Sequence, residues 1–159
     1  MANYFTSLAF KIAANHADAE RFVQAIEAAT ALENCEKPML APEIEQAFRS
    51  DTQTAEEVFA GIIGDMGLGI DCLFNADDQS LIIFDNDGSP NLWALAQLLQ
   101  RLYPPKLPLG FVYAETCDKS RAGGFGGGFF AISHDTIVNQ SLAEVLEAEI
   151  AELGEAPDA

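Results

Sequence analysis

The stretch that gathers the most side chains able to do chemistry runs from Thr116 to Gly128. It contains Cys117, the basic residues Lys119 and Arg121, and five glycines: Gly123, Gly124, Gly126, Gly127 and Gly128. Consecutive backbone N–H groups, together with a basic side chain, can hold a phosphate or carboxylate. The stretch therefore predicts an anion pocket whose candidate ligands are Lys119, Arg121, Gly124, Gly126 and Gly127. The alternative is a hairpin loop whose glycines permit a positive φ or a close approach between strands.

A nucleophilic role for Cys117 is a second hypothesis for the same stretch. Neighbouring basic side chains favour the thiolate, which is the reactive form of cysteine. A general base is also needed, and the chain has only two histidines, of which His134 follows the next apolar run. If the two strands pair, a Cys117–His134 dyad is a candidate. The alternative makes them ordinary strand-end and turn residues, and we assign no catalytic residue.

Metal-ligand patterns are weak in this sequence. Asp85-Asn86-Asp87-Gly88 is similar to part of a calcium loop, but Ile83 and Ala94 then occupy the first and twelfth ligand positions. We therefore predict a turn there, no metal site and no cofactor. The chain has three widely spaced cysteines and no CxxC pair: Cys35, Cys72 and Cys117. This pattern is typical of a protein in a reduced compartment.

The C-terminal segment is strongly acidic. Ser141 and Glu144 have the spacing of a capping box, which predicts a helix over 141–153 followed by a short tail, 154–159. This helix carries four acids and no basic residue: Glu144, Glu147, Glu149 and Glu152. Like-charged neighbours on a helix cost about 0.2–0.5 kcal/mol per pair. We interpret the acids as an interaction face for a basic protein, with solubility or adaptation to salt as the alternative.

The whole chain is acidic as well. Its 159 residues include 25 Asp and Glu against 8 Lys and Arg, a formal net charge of -17. Such a charge repels phosphate backbones and anionic lipids, which excludes direct nucleic-acid binding through basic contacts and disfavours membranes. Half of the residues are hydrophobic, so the chain can build a core. No signal-peptide pattern appears in Met1–Phe10, and we expect a cytoplasmic protein.

Hydrophobic periodicity predicts an α+β fold in a single domain, 1–159. The predicted strands are Tyr4–Ile12, Ile70–Phe74, Leu81–Phe84, Leu109–Thr116 and Phe129–Ser133. Helices are predicted after the caps Asn15, Thr54 and Ser89 and in the C-terminal segment. An antiparallel sheet of about five strands with helices mainly on one face buries these patterns most simply.

One segment resembles a known group of proteins. Leu109–Arg121 (LGFVYAETCDKSR), continuing to the FGGG of Phe125–Gly128, is similar to an uncharacterised family of small acidic bacterial and mobile-element proteins that share TCxKxR…FGGG. The resemblance extends from about Asp85 to Ile137 and implies no activity. A fainter likeness in size, charge and element order concerns acidic secretion chaperones, which implies a homodimer.

These observations predict a non-enzymatic, acidic protein-interaction domain. Its partner would be a basic protein, with an inhibitor or nucleic-acid mimic of a defence or restriction system as the most specific form. Two alternatives stay open. One is an enzyme or small-ligand protein that uses the loop 117–128, and the other is a chaperone-like homodimer.

Overall fold

The described part of the chain contains seven strands and five α-helices. The computed structural model describes residues 3–86, 88–118 and 125–154, with side chains up to residue 152. The strands are β1 (Tyr4–Ser7), β2 (Ala9–Ala13), β3 (Ile70–Asn75), β4 (Ser80–Asp85), β5 (Leu109–Cys117), β6 (Phe125–Ile132) and β7 (Ile137–Ser141). The helices are α1 (His16–Glu33), α2 (Pro42–Ala47), α3 (Ala55–Ile63), α4 (Leu92–Leu102) and α5 (Leu142–Gly154). The predicted α+β single domain is confirmed.

The strands form two antiparallel sheets rather than one. The four-stranded sheet has the order β1-β5-β6-β7 and the three-stranded sheet the order β2-β4-β3. The apolar run predicted as one strand divides at Leu8, which is buried and whose N–H donates to the Asp85 carboxylate (2.7 Å). β1 then pairs with β5 and β2 with β4. The structure therefore has seven strands where about five were predicted, because the first predicted strand divides into β1 and β2 and because β7 was not predicted.

Side chains at the helix starts set where three of the helices begin. Asn15 caps α1 as predicted and forms a capping box with Asp18, and Thr54 forms the predicted capping box of α3 with Glu57. For α4 the prediction of Ser89 as the cap is wrong, because Asn91 accepts from the Ala94 N–H (3.1 Å). The Asn91 amide also donates to the carbonyl of Ile63 (3.1 Å), so this one side chain fixes both the start of α4 and the end of α3.

The core lies between the sheets and the first four helices. Phe10, Phe111 and Phe130 stack with ring centroids 5.0 Å apart at each step, and Trp93 of α4 meets the Phe130 ring edge-on at 5.2 Å. On the three-stranded sheet, His16 at the start of α1 contacts the ring of Phe74 (5.7 Å). These contacts place α1 and α4 on the same face of the strand layer, as predicted. Within the described residues, no helix is both long and apolar enough to cross a bilayer.

Candidate functional site

The outer face of the four-stranded sheet, turned away from α4, is apolar and uncovered. Because side chains alternate along a strand, Phe111 and Phe130 point inward while their neighbours point outward. We call the outward set the outer face: Phe5, Ser7, Val112, Ala114, Thr116, Phe125, Phe129, Ala131, Val138 and Gln140. None of these residues is charged. Val112 is 67 % exposed and Phe125 72 % exposed, so no described element covers them.

Two shallow cavities that share Ala131 include outer-face residues in their lining. One has a volume of 430 Å³ and includes Val112, Phe129 and Ala131 in its lining. The other, of 150 Å³, is lined by Ala131, Thr136 and Val138 among others. An antiparallel sheet with one solvated face usually presents polar residues there. A contiguous exposed apolar surface instead marks a site of interaction with another molecule.

The basic side chains are mostly engaged within the fold. Six of the eight Lys and Arg residues lie in the described part of the chain. Five of them contact a described acid, carbonyl or ring: Lys11 with Asp78, Arg21 and Lys106 with Asp18, Lys37 with Glu56, and Arg101 with the Ala47 carbonyl and the Phe48 ring. The acidic surface is therefore left largely without compensating charge.

Asp18 is the centre of the densest of these networks. Its carboxylate lies 2.9 Å from Lys106 Nζ and 3.7 Å from Arg21, and its carbonyl accepts from the buried Tyr103 hydroxyl (2.6 Å). Burial alone would raise the pKa of Asp18. The hydrogen bonds from Lys106 and from the Asn15 backbone, together with both positive charges, hold the pKa below its usual value. The network ties α1 to the segment after α4.

Helix α5 is exposed on its apolar side. Leu142, Leu146 and Ile150 are 56 %, 60 % and 59 % exposed and are spaced four residues apart, so they share one side of the helix. We call these three residues the α5 stripe. Val145, about 100° round the helix from Leu146, is half-buried. The helix therefore contacts the body along one side and turns its apolar stripe to open space.

The predicted acidic face lies on this exposed helix. Glu147, Glu149 and Glu152 are exposed. Glu144 closes the predicted capping box, because its carboxylate accepts from the Ser141 N–H (2.8 Å), and hydrogen bonds from Ser141 lower its pKa. The four acids are accessible to a partner, and their role in binding one stays a prediction.

The proposed Cys117–His134 dyad does not form. β5 and β6 do pair, but Leu109 lies opposite Ile132, so Cys117 is at the far end of the hairpin from His134. Cys117 lies eight steps along β5 from Leu109, which is about 27 Å. The Cys117 thiol instead lies 3.9 Å from the carboxylate of Asp118. The hypothesis was wrong because pairing alone does not say which strand ends meet.

The predicted anion pocket is only partly described. Gly126 and Gly127 lie inside β6, which begins at Phe125 rather than Phe129, so they are not loop residues. The Glu115 carboxylate lies against Gly126, and Gly127 has a φ of +142°. A Cβ at Gly127 would collide with the backbone carbonyl of Tyr113. These glycines therefore permit close strand pairing; Lys119, Arg121 and Gly124 lie outside the described residues.

Other reactive groups of the described residues have structural roles. No three His, Cys, Asp or Glu side chains in these residues are arranged to hold a metal ion. Asp85, from the calcium-like turn, accepts from Leu8, and Asp87 lies outside the described residues. Burial, with the nearby charge of Asp71 adding to it, raises the pKa of the Cys72 thiol to about 11, which keeps it protonated and unreactive.

Comparisons with family models, with curated proteins and with solved structures find no match to this chain. The resemblance to small acidic bacterial and mobile-element proteins stays a prediction. The site that sequence reasoning missed is the outer face. A signal existed in β5, where Gly110, Val112, Ala114 and Thr116 alternate without a single charge. This alternation indicates an open apolar face only once the structure shows which face of the sheet the helices cover.

Proposed function

We propose that this protein is a non-enzymatic interaction domain that binds a basic protein partner over the outer face. The observation that carries the proposal is the outer face itself, an uncovered and uncharged apolar surface on a chain of net charge -17. Soluble proteins seldom leave such a surface free unless something binds there.

The charge of the rest of the surface supports a basic partner. Acids outnumber basic residues by 25 to 8, and five of the six described cations are engaged within the fold. Complementary charge around an apolar contact speeds encounter and excludes like-charged competitors. A basic protein of a defence or restriction system, whose nucleic-acid surface the acids would occupy, is the specific class that we propose.

The first test separates binding by the α5 acids from binding by net charge alone. The immobilised chain captures proteins from a lysate of its source cells at about 50 mM salt, and a salt gradient elutes them. One variant is Glu147→Gln/Glu149→Gln/Glu152→Gln. The matched control removes the same three charges elsewhere: Glu20→Gln/Glu27→Gln/Glu45→Gln, all exposed. We expect the α5 variant to lose the captured partner at lower salt than the control.

The second test addresses the outer face. Val112→Glu places a charge in the middle of this face, where the side chain is 67 % exposed, so folding should be unaffected. We expect this single change to abolish capture. Equal loss with both triple variants, together with full capture by Val112→Glu, would show that binding is general charge attraction and would overturn the proposal.

A further inference from the structure

Within the described residues, no strand pairs with β7 at the outer edge of the four-stranded sheet. β7 is the last strand of its sheet, and its five residues include neither a charge nor a proline, the usual devices that block an edge. At the other edge, by contrast, the Thr6 N–H of β1 already donates to the Gly88 carbonyl (2.8 Å). β7 is therefore the edge that can accept another strand.

The hydrogen-bond phase of β7 shows which groups are open. The Ser133 N–H donates to the Thr136 carbonyl (2.8 Å). This bond sets which residue pairs between β6 and β7 are hydrogen-bonded, because such pairs alternate along an antiparallel ladder. The N–H groups of Ile137, Asn139 and Ser141 then point away from β6. Consistent with this phase, the Ser141 N–H is used by Glu144 instead of a strand (2.8 Å). Antiparallel pairing centred on Asn139 would use the other two.

Such pairing brings the two α5 helices into contact. α5 packs over β6 and β7. Two sheets joined antiparallel through β7 are related by a twofold axis perpendicular to the sheet, so both α5 helices lie on the same face. Strands are spaced about 4.8 Å apart, and the midpoints of the two β6–β7 pairs are then about 10 Å apart. Packed helices have interaxial distances of about 8–10 Å.

We propose that a second copy of this chain binds at β7 and α5, joining the two four-stranded sheets and burying the α5 stripes against each other. The α5 stripe is exposed, and α5 begins at the residue after β7, the strand at the open edge. One contact therefore satisfies both the unpaired backbone groups and the apolar side chains. This inference uses the β7 edge and the α5 stripe, whereas the proposed function uses the outer face and the α5 acids.

The proposed dimer and the proposed partner complex should respond to salt in opposite directions. Association of two copies brings together bodies that each carry -17, so added salt should strengthen it by screening the repulsion. Binding of a basic partner should weaken under the same change. A homodimer that tightens with salt and a partner that dissociates with salt are therefore separate results, and either can fail without the other.

The test measures the dimer dissociation constant by sedimentation equilibrium at about 50 mM and about 500 mM salt. Leu146→Glu introduces a charge into the α5 stripe. Leu73→Glu is the matched control, because Leu73 is 59 % exposed and Leu146 60 %. We expect a wild-type dimer that is tighter at high salt, a dissociation constant raised at least about tenfold by Leu146→Glu, and a change below about threefold for Leu73→Glu.

Amide hydrogen exchange locates the interface independently of any variant. We expect exchange at Asn139 to slow as protein concentration rises, because its N–H becomes paired in the dimer. If Leu146→Glu fails to fold by circular dichroism, Asn139→Lys blocks the edge instead and should give the same loss. A monomer at high salt, or equal effects of Leu146→Glu and Leu73→Glu, would overturn the proposal.

Discussion

The two faces of β6 should respond very differently to the same substitution. Phe130 is 1 % exposed and lies in the aromatic stack, whereas Phe125, on the same strand, is 72 % exposed on the outer face. Truncating a buried Phe to Ala costs about 3–5 kcal/mol. Phe125 buries little more than a quarter of its surface, so Phe125→Ala should cost about 1 kcal/mol by the same scale. For a chain of this size the melting temperature falls about 2–4 °C per kcal/mol.

The assay is chemical denaturation followed by circular dichroism, with the protein diluted to about 1 µM so that dimer dissociation does not contribute to the measured free energy of unfolding. Fluorescence is unsuitable, because the only tryptophan, Trp93, contacts the Phe130 ring. We expect Phe130→Ala to lower the free energy of unfolding by about 3–5 kcal/mol and Phe125→Ala by about 1 kcal/mol. Equal losses at this dilution would mean that part of the same chain covers the outer face, and the proposed function would lose its surface.

Two further predictions concern the elements that hold the sheet and the helices together. Asp18→Asn should lower stability by about 1–2 kcal/mol at pH 7 by weakening the contact with Lys106. Because the folded pKa of Asp18 lies below the usual value for an aspartate, the carboxylate stabilises the fold above that usual value and loses this effect as pH falls through the folded pKa. Denaturation at pH 7 and pH 3 should therefore show a smaller difference between variant and wild type at the lower pH; a larger one would contradict this assignment. Gly127→Ala should destabilise by about 1–3 kcal/mol through its positive φ and the backbone collision, and Gly126→Ala, with only a flexible carboxylate nearby, by less than about 1 kcal/mol. Equal melting temperatures for these two glycine variants would contradict the account of Gly127.

Local signals in the sequence predicted most of the elements. The capping boxes at Asn15, Thr54 and Ser141 depend on residues three positions apart, and all three form. The start of α4 was wrongly placed at Ser89, because what selects Asn91 is its bond to the Ile63 carbonyl, 28 residues away. Signals that close within one helical turn are visible in sequence, and those that join distant segments are not.

The candidate sites followed the same rule. Composition alone fixed the charge of -17, and with it the prediction that the chain does not bind nucleic acid through basic contacts. The Cys117–His134 dyad depended on which ends of β5 and β6 meet, and the register placed them at opposite ends. The candidate acids of α5 were visible as a charge run, but the exposure of the apolar stripe beside them was not.

The sequence by itself determined the α+β class, the acidity and the caps of α1, α3 and α5, because each depends on residue type or on short spacings. Only the tertiary structure decided that the strands divide at Leu8 into two sheets, and which face of the strands α1 and α4 cover. An alternating strand pattern gives two faces but does not say which of them the helices will cover. That choice is made by packing between distant segments, and it is what leaves the uncharged outer face open to a partner.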